Sequence, residues 1–331
     1  MIDTDTPILA PDAQDGRPGQ RRRFLQLAGT ATIAFGLSAC GGSGDGGASP
    51  TPTPSGTPTP SPTSTSTVAL DVDTLNFALQ LQYLSAQYFA LGTTGSGIAA
   101  ALLTGTGTQG TVTGGAQVTF ADAIFGQYAR EIAANELALV GLLRSAVGSA
   151  AIASQPAIDL SSAVTGGFTR LARAGGYIGP ADTFDAFASE QNFLLGAFIL
   201  QDVMVSAYIG LAPALQNLVY INAAANILAT KSFNAALIRQ QLYNRGAALR
   251  TATDQFSAAR DALDGASDID QGVSGNATVS NVVASNVDGI VFGRTPAQVL
   301  NVLYTNHAAV TGGGFYPNGV TSTYFKVSGA N

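Results

Sequence analysis

From Val72 to about Leu263 apolar residues return every three or four positions, in long runs separated by Gly-, Pro- and Asn-rich stretches. This is the period of an amphipathic α-helix and predicts four long helical segments. The first spans Val72–Leu91, with Asp71 or Asp73 placed to cap it and Leu75, Ala78, Leu79, Gln82, Ala86 and Phe89 on one face. The second spans Phe120–Val147, with Ile132, Glu136, Leu139, Val140 and Leu143 sharing a face. The third spans Asp185–Leu211, with Leu194, Phe198, Gln201, Val205 and Tyr208. The fourth starts near Leu215, and its pattern runs on to Leu263.

Every stripe is apolar except near its middle. The interruptions are Gln82, Glu136, Gln201, and Lys231 with Asn234. A single polar residue in such a stripe marks a point that faces water. Four at comparable depth predict a polar layer inside an all-α four-helix bundle, the level at which bundles of the di-iron carboxylate type carry their ligands.

The residues around these positions resemble a family. "LNFALQLQYLSAQYF", "ANELALVGLLRSAVG", "FLLGAFILQDVMVSAYIGLAP" and "ILATKSFNAALIRQQLY" are similar to the four helices of bacterial ferritin-like domain proteins related to the plant desiccation-associated proteins. "FGRTPAQVLNVLY" and "GGGFYPNG" are similar to the family's C-terminal signature. The resemblance implies a ferritin-like four-helix bundle over residues 68–263, with a long Gly-rich loop after the first helix. It also implies an irregular tail over residues 264–331, packed on the bundle.

The departures from the family pattern fall on its metal ligands. Gln82 stands where the first helix has Glu. Glu136 is kept, but Leu139 replaces the His three residues on. Gln201 replaces the third-helix Glu, while Lys231 and Asn234 replace the Glu and His of the fourth. Ser85 and Gln87 stand at two further carboxylate positions of the first helix. Two cations held close together need several carboxylates to neutralise them, so this set implies no metal, no cofactor and no catalytic residue. The expectation is that the Lys231 ammonium takes the place of the metal and pairs with Glu136, with Gln82, Gln201 and Asn234 bonding around them. The alternative is that Lys231 extends outward to water.

Composition narrows the chemistry further. One Cys, one His and no Trp exclude a disulfide framework and any site of several His or Cys ligands. The chain has 15 Lys and Arg against 21 Asp and Glu, and no basic stripe, which argues against a nucleic-acid surface. Gly105-Thr-Gly107-Thr-Gln-Gly110 matches a dinucleotide fingerprint in letters only, since no strand precedes it and no helix follows. His307 has no nucleophile elbow to serve. The acidic run Asp261, Asp264, Asp268, Asp270 lacks the spacing of a calcium loop and reads as a solvated loop.

At the N-terminus, Arg21-Arg22-Arg23-Phe24-Leu25 resembles a twin-arginine export signal, and Leu37-Ser38-Ala39-Cys40 resembles a lipobox. The apolar run between them is short for a membrane span, which needs roughly 20 residues. Residues 1–39 therefore read as a cleaved signal and Cys40 as the lipidated residue, anchoring the protein to a membrane. Residues 40–67, Gly/Ser-rich and then Pro/Thr-rich, read as an extended linker. The resulting expectation is an exported protein of the periplasm or cell envelope, non-catalytic, structural or stress-associated, with self-association or an envelope protein as possible partner. The alternative is an iron or manganese protein, metal-binding or oxidase, that uses the altered carboxylate/amide site.

Overall fold

The computed structural model describes residues 65–149 and 151–331. The signal segment, Cys40 and nearly all of the linker lie outside the described residues. The long helices are α1 (Thr65–Thr94), α2 (Ala123–Val147), α4 (Glu190–Leu211) and α5 (Leu218–Asn244). Three shorter ones are α3 (Gly167–Ala174), α6 (Ala247–Asp264) and α7 (Pro296–Tyr304). The chain is mostly helical, as a ferritin-like all-α fold requires.

Local chemistry sets most of the helix starts. The Asp122 carboxylate accepts from the amides of Ile124 and Phe125 at 2.9 and 3.2 Å, which starts α2 three residues later than the sequence pattern suggests. Ser189 caps α4 through Asn192 N at 3.1 Å, so that helix begins at Glu190 and not at Asp185. Asn217 caps α5, and Thr295 with Gln298 forms a capping box ahead of Pro296 on α7. The fourth expected helix is two helices: Gly246, at φ +100°, breaks it between α5 and α6.

Neighbouring helices of the bundle run antiparallel. Asn76 near the start of α1 bonds Ala151 just after α2, whereas Gly92 near the end of α1 accepts from Val118 just before it. Tyr88 of α1 donates to the Phe193 carbonyl of α4 at 2.6 Å, and Arg245 after α5 pairs with Asp122 at the start of α2. Helix α4 is central. Its stretch Glu190–Ala214 is long and apolar enough to cross a membrane, yet 83 % of its apolar window is buried within the fold, which makes it the core helix.

Asp71 and Asp73 do not cap α1, which begins earlier, at Thr65. Asp71 instead accepts from the amides of Gln216 and Asn217 at the start of α5. Asp73 accepts from Ser322, Thr323 and Tyr324 near the end of the chain.

The Gly-rich crossover is more ordered than its composition implies. Its Val112–Gly114 strand (β1) pairs in parallel with Ile158–Leu160 (β2), with Thr113 opposite Asp159. The segment that mimicked a nucleotide fingerprint pairs Thr106 with Ala153. Residues 264–331 lie against α4, α6 and α1. Gly210 of α4 makes room for this: a Cβ there would stand 1.7 Å from the Arg294 carbonyl oxygen.

Candidate functional site

The four interruptions of the helix stripes meet at one level of the bundle. Gln82, Glu136, Gln201 and Lys231 are fully buried and Asn234 is 3 % exposed. Glu136 is the hub. The Lys231 ammonium donates to its Oε2 in a buried ion pair, so Lys231 does not extend to water. Gln82 Nε2 donates to the same oxygen at 2.6 Å and to the Glu136 backbone carbonyl at 2.8 Å. The other carboxylate oxygen, Oε1, accepts from Gln201 Nε2 at 2.9 Å and from Asn234 Nδ2 at 3.2 Å. Ser85 joins this layer, its Oγ accepting from Gln201 at 3.0 Å. Leu139, one helical turn beyond Glu136, is buried among apolar side chains and offers no donor atom.

Gln87 does not belong to the site. Its amide bonds Gln155 at 2.6 Å and the Ile98 amide at 3.1 Å, tying the crossover to the segment before β2. Tyr208 does belong to the surroundings, although its stripe position alone did not mark it. It lies two turns after Gln201, and its buried hydroxyl has no partner among the described residues. Burial, and secondarily the Glu136 charge, push that phenol well above its ordinary range.

Burial opposes both charges of the central pair. For Glu136 the desolvation is outweighed by the Lys231 ammonium and by the surrounding side-chain donors, which hold the carboxyl below its usual range. For Lys231 burial is the larger effect and draws the ammonium below its usual range despite the carboxylate beside it.

The donor set does not fit a di-metal centre. One carboxylate, three amides turned N–H-first toward it, a leucine and a fixed ammonium give neither the negative charge nor the oxygen ligands that two cations require. Two amide oxygens, Gln82 Oε1 and Gln201 Oε1, are left buried without partners. No cluster of three or more His, Cys, Asp or Glu suited to a metal occurs among the described residues.

A second charged cluster joins the tail to the bundle. Asp264 and Asp270, expected in a solvated loop, are buried, because each finds an arginine that the linear pattern does not reveal. Asp270 accepts from Arg260 Nε and Nη2 and from Arg294 Nη2, each at 2.6 Å. Asp264 accepts from Arg294 Nε at 2.6 Å. Asp202, next to Gln201, pairs with Arg239 at 2.7 Å and Arg260 at 3.3 Å. Asp261 is part-buried, Asp268 is exposed, and His307 is exposed in the turn after α7.

A family model described as ferritin-like domain matches residues 70–244, the span of the four long helices. The chain is 28 % identical over 267 residues to the ferritin-like catalase Nec2 of Nesocodon mauritianus, covering 75 % of this chain and 83 % of that protein. It is 27 % identical over 246 residues to the desiccation-related protein PCC13-62 of Craterostigma plantagineum, covering 70 % and 76 %. No solved structure matches.

Proposed function

Because this chain belongs to the ferritin-like domain family, we propose that it uses the family's bundle as a scaffold in which an internal ion pair has replaced the metal centre. In this reading the protein is non-catalytic, a structural, interaction or stress-associated component of the cell envelope. One observation carries it: the only carboxylate of the central layer is already neutralised by the Lys231 ammonium and enclosed by three amides. A cation entering there would have to displace an ammonium that cannot leave the chain. Similarity to a desiccation-related protein supports the stress-associated part of the reading.

The export-like signal and Cys40 support a place in the envelope: export by the twin-arginine route, then attachment to a membrane through a lipid on Cys40. Partners in that setting are a second copy of this chain or another envelope protein.

Similarity to a protein named a ferritin-like catalase favours a second reading, a metalloprotein that consumes peroxide or binds iron or manganese through the altered layer. Elemental analysis and a hydrogen peroxide assay separate the two. Protein purified from cells supplied with iron and manganese is expected to carry near-zero transition metal, to leave peroxide unconsumed and to unfold at the same temperature with and without chelator. Stoichiometric metal with peroxide turnover overturns the scaffold reading.

A further inference from the structure

We infer that the centre of the bundle forms a covalent link of its own, an isopeptide bond between the Lys231 side chain on α5 and the Gln82 side chain on α1. The inference rests on the reading that the ammonium holds the position of the metal. Acyl transfer from a carboxamide to an amine needs the two groups held together, water excluded, and one group that moves protons from the attacking nitrogen to the leaving one. The central layer excludes water, supplies Glu136 as the proton carrier, and brings the amine and the amide to one carboxylate oxygen.

Lys231 Nζ and Gln82 Nε2 donate to the same oxygen, Glu136 Oε2. The attacking and leaving nitrogens therefore share one proton acceptor. A second bond from Gln82 Nε2 to the Glu136 carbonyl, at 2.8 Å, keeps the amide from turning away. All three side chains are completely buried. The carbonyl oxygen that takes up charge as the amine attacks, Gln82 Oε1, has no donor among the described residues, so the step is slow and the link accumulates over the life of the folded chain. Gln201 and Asn234 sit on the opposite carboxylate oxygen, away from the amine, which singles out Gln82 as the acyl donor. Burial already draws the ammonium toward the neutral, nucleophilic amine.

The step balances without a co-reactant. Glu136 takes a proton from the Lys231 ammonium, and the freed Nζ lone pair forms a bond to Gln82 Cδ while the carbonyl electrons move to Oε1. When the carbonyl re-forms, the Cδ–Nε2 bond breaks. Of the two protons that Nζ gives up, one leaves with Nε2 as ammonia and the other stays on Glu136 as the carboxylic acid. A buried ion pair becomes a neutral amide and a neutral acid, so the desolvation that opposes both charges is relieved.

Peptide mass spectrometry of the folded, full-length protein tests this. The expected result is a branched peptide joining the segment that contains Lys231 to the one that contains Gln82, lighter than the two together by one ammonia. The link is expected to be absent from Gln82→Leu, which has no acyl group to transfer, and from Lys231→Met, which has no amine. Unlinked peptides in the wild-type chain overturn the inference whether or not the variants fold. So does a link that has lost water and joins Lys231 to Glu136, or one made through Gln201. Metal content measured on the same sample keeps the two readings apart. No metal and no link removes only the isopeptide bond, whereas bound metal removes the scaffold reading beneath it.

Discussion

At the centre of the bundle one carboxylate gathers an ammonium and three amides; along α4, between α5, α6 and the tail, three guanidiniums and three carboxylates interlock. Both clusters are buried, but they are satisfied differently. Arg239 reaches Asp202 and the carbonyls of Gln271, Gly272, Asn281 and Val282, and Arg260 adds the carbonyls of Phe198 and Ile199. In the arginine cluster the one buried atom without a partner among the described residues is Asp264 Oδ1. The central layer leaves Gln82 Oε1, Gln201 Oε1 and the nearby Tyr208 hydroxyl unpaired. A planar guanidinium with five N–H groups suits a structural lock, whereas a single amine ringed by under-used amides makes a less completely satisfied layer.

The contrast is sharpest where one partner is removed. Asp270→Leu strips a carboxylate from two arginines that cannot shed their protons, so its cost is expected at the upper end of about 3–5 kcal/mol in chemical denaturation. Glu136→Leu strands Lys231, but a lysine can escape by losing its proton, which places the loss near the lower end of that range, about 3 kcal/mol. Removing both charges, Glu136→Leu with Lys231→Met, is expected to recover most of the loss seen in Glu136→Leu alone; neither variant can carry the cross-link, so their difference reports the ion pair. If the double variant is as damaged as Glu136→Leu alone, the two charges are not a pair.

A further test concerns pH. Burial, opposed by Arg294, raises the Asp264 carboxyl to about 6. A carboxyl raised in the folded state keeps its proton after the unfolded chain has lost it. Its stabilising contribution is therefore complete below about pH 4 and is lost as pH rises through 6. Asp264→Asn mimics the protonated form. Compared at equal pH, it should match the parent near pH 4 and exceed it at pH 7; a constant difference across that range would rule out Asp264 as the titrating group.

The level of the central layer was readable in the sequence because helical period alone decides which residues share a face, and Gln82, Glu136, Gln201 and Lys231 each interrupt such a face. Period says nothing about partners far along the chain. The Arg294–Asp264 and Arg260–Asp270 pairs join a helix or its end to an irregular tail, so Asp264 and Asp270 read as solvated. The same limit hid the β1–β2 pairing, with strands of three residues each, and helix α3 of eight. The α5–α6 break was hidden for a different reason: apolar spacing continues across Gly246, and only its backbone conformation ends the helix.

The bonds of Asp73 bear on the order in which the chain assembles. Its carboxylate, on the first described helix, is met by amides about 250 residues later, at Thr323 and Tyr324. A growing chain therefore displays α1 long before the groups that complete its surroundings exist. Contacts of such high sequence separation slow folding and leave the closing steps to the end. The domain is accordingly expected to reach its native form only after the segment around Thr323 and Tyr324 has been made, with nascent chains that stop short of it depending on their surroundings for protection from aggregation.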